Sequence, residues 1–176
     1  MQDAFSIVRS EVKTPREPNL VSKKFDDELL QMALNDGLTE VAQYEDSVTG
    51  TLESCPEVTS QMTDDACLWA VRIVDTVYAP ENCDFGKALN NKKIKHTNLT
   101  GGTPAYCGGE LIWLGEREIL VNGCSGRYGP RNVAEMKAAA LAFSKAGYRV
   151  WSTGYDEGTG FCFKFGASLP EEVTSL

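Results

Sequence analysis

Hydrophobic positions recur along this chain with several periods, and each period predicts an element. From Ser22, the positions Phe25, Leu29, Met32 and Ala33 fall at helical spacing, with Asp26, Asp27 and Glu28 in the first turn and Gly37 as a stop. That pattern predicts an amphipathic helix. A second helix is predicted from Thr63, whose hydroxyl can cap the first-turn amides while Asp64 and Asp65 suit the positive end of the helix dipole. Along it Leu68, Val71, Ile73, Val74, Val77 and Tyr78 cover the wide face of a buried helix, Trp69 sits at the edge, and Pro80 ends it. A third helix runs from Val133 to about Ala146. Asn132 can cap it, Glu135 can return a bond to the cap amide, and Gly147 supplies a left-handed exit. Its Ala138-Ala139-Ala140 run lets another backbone come close.

Strands are predicted over 92–99, 109–114, 118–122, 148–153 and 160–166, with a hairpin turn at Gly115-Glu116-Arg117. In the last of these, Phe161, Phe163 and Phe165 alternate with Cys162 and Lys164, which places three rings on one inward face. Thirteen of the sixteen glycines lie between 101 and 166, so tight turns are expected there. Residues 1–21 contain Thr14-Pro15-Arg16-Glu17-Pro18-Asn19 and read as an extended arm, because each proline disfavours helix in the residue before it. Residues 38–62 allow short strands at most. The fold class is therefore α+β, an antiparallel or mixed sheet mostly from residues 91–166 covered by about three helices. Residues 22–176 form a single α+β domain, with an acidic helical part at 22–90 and a glycine-rich sheet part at 91–166.

Charge divides at the same place. The formal net charge is −8. Residues 1–90 carry 7 basic and 17 acidic side chains, and residues 91–176 carry 10 and 8. The overall balance repels nucleic-acid phosphates and makes a protein the expected partner; the acidic half is either a solvated surface or a docking face for a basic partner, and the second half can hold an anion. The six cysteines stand at least twelve positions apart, which spells neither a zinc knuckle nor a Cys-x-x-Cys pair, so no metal site is predicted. Reduced thiols in a cytosol-like compartment are favoured, although three disulfides are possible by number. No signal-peptide pattern and no run of about 18 apolar residues occurs, so the expected location is the cytoplasm, or a host cytoplasm after delivery.

Three clusters carry candidate chemistry. His96, the only histidine, lies in Lys92-Lys93-Ile94-Lys95-His96-Thr97-Asn98-Leu99, a predicted strand on which it shares a face with Ile94 and Asn98. The glycine-rich Thr100-Gly101-Gly102-Thr103 follows, where backbone amides can approach a ligand. Asn122-Gly123-Cys124-Ser125-Gly126-Arg127-Tyr128-Gly129-Pro130-Arg131 leads into the third helix, and its hydroxyls and guanidinium groups beside a helix N-terminus suit an anion. The third is Gly108-Gly109-Glu110, a carboxylate opening an apolar strand. A carboxylate sharing a pocket with His96 would tune the titration of both. Cys124 as a nucleophile would have only His96 as its base. Asp156-Glu157-Gly158-Thr159-Gly160 reads as a hairpin turn.

In order, His96-Thr97, Gly109-Glu110 and Ser125-Gly126-x-Tyr128-x-Pro130 resemble a domain of some bacterial effector and toxin proteins and of plant IQ-motif calmodulin-binding proteins. That domain carries a His-Ser or His-Thr pair, a loop ending in Gly-Glu, then Ser-Gly-His-Tyr and a proline. The resemblance covers residues 94–150, with Arg127 in place of the second histidine and Gly129 inserted before the proline. It implies an effector-like domain acting on another macromolecule. The residue types also resemble those of ADP-ribosyltransferases. In such a transferase, with NAD as cosubstrate, His96 would position the ribose, Tyr128 would stack on nicotinamide, Arg127 would pair the diphosphate, and Glu110 would stabilise positive charge. Thr97, Ser125 and Arg131 would complete the ligand contacts. The alternatives are a non-enzymatic acidic module that inhibits or antagonises a basic partner, and a metal-independent ribonuclease using His96 with Arg127 on the phosphate.

Overall fold

The computed structural model describes all residues except 1, 47, 49, 51, 175 and 176. Its centre is a mixed sheet of seven strands in the order β1-β3-β2-β4-β5-β6-β9. The strands are β1 (Thr39–Glu40), β2 (Cys67–Val71), β3 (Thr76–Pro80), β4 (Cys107–Trp113), β5 (Glu118–Val121), β6 (Arg149–Ser152) and β9 (Glu171–Val173). Only β5 and β6 run parallel. The chain makes that crossover through α5 (Val133–Lys145), whose first turn Asn132 caps by accepting the Glu135 amide at 2.8 Å. Glu135 bonds the Arg131 amide at 3.1 Å, one residue before the cap position predicted for it. Gly147 has φ +101, the left-handed exit that the sequence requires.

The fold class is α+β, as the sequence indicates, with five helices among the described residues rather than about three. Both faces of the sheet are covered. On one face Cys67, Trp69, Val71, Leu111, Ile119 and Val150 pack against α5 and against α1 (Ser6–Val12). The other face carries two separate apolar clusters. Leu68, Ala70, Val77 and Ala79 pack with Ile94, Leu99 and Met32, while Ile112, Leu120 and Trp151 pack with the 52–62 segment. Strands from the acidic and the glycine-rich halves hydrogen-bond within this one sheet.

Four expectations are corrected. The segment 63–80 is a strand hairpin, not a helix: the five residues of β2 are all buried, and a strand covered on both faces shows no alternation by which to separate it from a buried helix. The capped helix is the short α2 (Ser60–Asp64), with Thr59 rather than Thr63 as its cap. The helix predicted from Ser22 is replaced by two 3₁₀ turns, Asp26–Leu29 and Leu34–Asp36. Their backbone bonds a neighbouring segment, since Asn98 Nδ2 donates to the Asp27 and Leu30 carbonyls and the Met32 backbone amide donates to the Asn98 carbonyl. The strand predicted at 92–99 is instead α4 (His96–Thr100), whose five residues are all buried. Finally, the arm predicted over 1–21 contains α1, and Phe5 and Val8 are fully buried in the core.

A second hairpin, β7 (Tyr155–Asp156) with β8 (Phe161–Cys162), turns at the predicted 156–160 loop. Of the strand predicted over 160–166 only Phe161–Cys162 forms, and there the phase is reversed, with Cys162 buried and Phe161 73% exposed, whereas Phe165 is packed on the Ile112–Leu120–Trp151 cluster. The remaining helix, α3 (Asp84–Lys87), follows β3. No helix among the described residues is long and apolar enough to cross a membrane.

Candidate functional site

Glu110 stands on β4 in the gap between the two apolar clusters, with Leu68 beside it on β2. That gap opens into a cleft of about 690 Å³, within the size range of small-molecule sites. His96, Ser125, Arg127, Tyr128 and Arg131 also line the cleft, so six of the seven candidates from the sequence converge on it. Thr97 does not; it is fully buried and donates to Glu28 at 2.8 Å. The 122–131 loop forms one wall at the carboxyl end of β5, ahead of the parallel crossover.

Asn122, fully buried, fixes the carboxyl at the floor. Its Oδ1 accepts the Glu110 and Cys124 amides, each at 2.9 Å, and its Nδ2 donates to Glu110 Oε1 at 3.1 Å. Burial pushes the Glu110 pKa above the ordinary carboxylate value and nearby Glu81 adds to this; the Asn122 bond and the charges of Lys93 and Lys164 oppose it. Sequence reasoning missed Asn122, although its place directly opposite Glu110 in the predicted hairpin was the available signal.

His96 is the first residue of α4 and not a strand residue. Lys95 precedes it in extended conformation and its amide donates to Asn98 Oδ1 at 2.8 Å, which closes the helix start. The ring lies directly on β4, where a Cβ at Gly108 would come within 2.9 Å of His96 Cδ2. Only glycine leaves room there. His96 Nε2 donates to the Gly109 carbonyl at 2.8 Å, and Nδ1 has no hydrogen-bond partner among the described residues. Burial lowers the imidazole pKa to about 4, against the Gly109 bond, and the charges of Lys95 and Arg127 lower it further. The ring is neutral at physiological pH, and its free nitrogen is an acceptor.

Three other candidates serve the walls themselves. Arg127 forms a buried bidentate pair with Glu28 at 2.8 and 2.9 Å, and its Nη1 donates to the Asn19 carbonyl and to Ser22 Oγ. Its donors are engaged within the protein, so the diphosphate role expected of it is corrected. Tyr128 donates to the Thr103 carbonyl at 2.8 Å and meets Thr100 Oγ1 at 2.7 Å, so it is a buried strut rather than a stacking ring. Ser125 Oγ accepts the Arg127 and Tyr128 amides and closes the turn. Burial, with Glu110 nearby, raises the Cys124 pKa to about 11, which argues against a thiolate nucleophile.

Seven basic and four acidic side chains line the cleft, although the chain as a whole is acidic. Lys24, Lys95, Arg131 and Lys164 have no ion-pair partner among the described residues, so they are the cations that can meet an anionic ligand. The acidic docking face loses a member in the same arrangement, since Glu28 is only 1% exposed and is bonded to Arg127 and Thr97. The phosphate contact expected of Arg127 in a ribonuclease competes with its bonds to Glu28, Asn19 and Ser22. All six cysteines are free thiols. No group of three or more His, Cys, Asp or Glu among the described residues could hold a metal ion. In comparison with known proteins, no family model, no curated protein and no solved structure matches the chain.

Proposed function

We propose that the cleft is the active site of an effector-like transferase that takes an anionic dinucleotide such as NAD and modifies another macromolecule. The observation that carries this is the half-buried Glu110 carboxyl at the floor of a cleft containing four unpaired cations. A carboxylate that burial has left poorly solvated gains most from a cationic neighbour, and a pyridinium ring supplies one; the cations suit the diphosphate of the same molecule. Bound NAD would supply an activated glycosidic bond that breaks with growing positive charge on the ribose. Glu110 would stabilise that charge, the free Nδ1 of His96 would accept a ribose hydroxyl, and Arg131 and Lys164 would hold the diphosphate. The resemblance of residues 94–150 to effector and toxin domains supports a macromolecular acceptor.

The test is nicotinamide release from NAD, followed by chromatography. The wild-type chain is expected to release nicotinamide, and Glu110→Gln to reduce the rate by about 10²-fold or more. A wild-type chain that neither binds nor cleaves NAD, or a Glu110→Gln variant of unchanged rate, overturns the proposal.

A further inference from the structure

Two aromatic rings line the cleft, Tyr128 and Phe161. Tyr128 is buried and its hydroxyl is committed to the fold, whereas Phe161 is largely exposed and has no ring partner among the described residues. Phe161 is not a loose end. Its strand neighbour Cys162 is buried in the core, the Phe163 amide donates to the Gly154 carbonyl at 3.0 Å, and Thr153 Oγ1 donates to the Phe163 carbonyl at 2.8 Å. On the facing strand Tyr155 Oη donates to the Arg131 carbonyl at 2.9 Å, which ties the hairpin to the loop that carries Arg131. Lys164 follows three residues after the ring and also lines the cleft. An exposed aromatic face on a braced hairpin, in a cleft that Arg131 and Lys164 also line without ion-pair partners among the described residues, is complementary to a flat heteroaromatic ring that carries phosphate.

We infer that Phe161 is the stacking platform for the adenine ring of a nucleotide, with Arg131 and Lys164 on its phosphates. The ring then lies at the mouth, and the far end of the molecule extends toward Glu110 on the floor. This inference rests on the transferase proposal; it places an adenine stack on Phe161, a different role from the nicotinamide stack that the transferase resemblance implied for Tyr128.

The test is calorimetric titration of the full chain with ADP-ribose, nicotinamide mononucleotide and inorganic pyrophosphate. Phe161→Ala is expected to weaken ADP-ribose by about tenfold, as loss of one base stack does, and to leave the other two ligands within twofold. Phe161→Trp is expected to bind ADP-ribose at least as tightly as the wild type. A Phe161→Ala variant that binds ADP-ribose normally overturns the stacking role and leaves the transferase proposal standing if NAD is still cleaved. Equal weakening of pyrophosphate also overturns it, because the substitution would then be acting on the site as a whole. If the wild-type chain binds neither ADP-ribose nor NAD, the transferase proposal falls and takes the stacking role with it.

Discussion

Glu28 and Arg127, 99 residues apart in sequence, meet as a buried two-point ion pair beneath the cleft wall. Removing either partner leaves the other charge buried and alone. Glu28→Ala and Arg127→Ala should each cost about 3–5 kcal/mol in urea unfolding, with Arg127→Lys recovering little because an ammonium cannot make the paired contact. Burial alone would raise the Glu28 pKa, but the bonds from Arg127 and Thr97 and the Arg127 charge hold it below the ordinary value. The stability it contributes is therefore complete above the ordinary glutamate range and is lost as pH falls through the depressed folded value. A stability-pH profile of Glu28→Gln that still shows this acid loss in full would contradict the assignment.

Tyr128→Phe removes the bonds to Thr100 and Thr103 and leaves their polar groups with one partner fewer. We expect a loss of about 1–3 kcal/mol in stability, with NAD affinity unchanged. Weakened binding at undiminished stability would return the phenol to the ligand.

Glu110→Gln should stabilise the protein while slowing turnover by about 10²-fold or more. Because the folded pKa is raised, the carboxyl favours the folded state only while protonated, and that contribution is lost as pH rises through the folded value. At pH 7 the amide avoids burying a charge, and a gain of about 0.5–2 kcal/mol is expected. Melting curves of both proteins at neutral and acidic pH give the check, since the gain should vanish below the ordinary glutamate range.

His96 should titrate near pH 4 in an NMR experiment on the imidazole. The folded value lies below the ordinary 6.5, so the contribution to stability is complete above 6.5 and declines as pH falls from there toward 4. Histidine-dependent activity changes between pH 6 and 8 would contradict this.

Legibility in the sequence followed local chemistry. Helix α5 was readable because Asn132, Glu135 and Gly147 set its ends without tertiary help, and the β4–β5 hairpin was readable because Gly115-Glu116-Arg117 turns it. Buried elements misled. Both β2 and α4 are enclosed on all sides, so neither carries the amphipathic period that separates strand from helix. At the site, residue types found the place: six candidates line one cleft. Their roles were not legible, because Arg127 and Tyr128 are as suited to binding a ligand as to bonding the Glu28 carboxylate and the Thr103 carbonyl. Only the fold decides which they do.

The cleft draws its walls from residues 16–28, 93–96, 123–131 and 160–164, and this spacing has a kinetic meaning. Contacts between such distant segments form slowly, since each closes a long loop of chain before it gains any attraction. No fragment short of Lys164 contains every wall of the cleft together with the floor carboxylate in their native frame. The cleft is thus complete only once residue 164 has been made, later than its other walls.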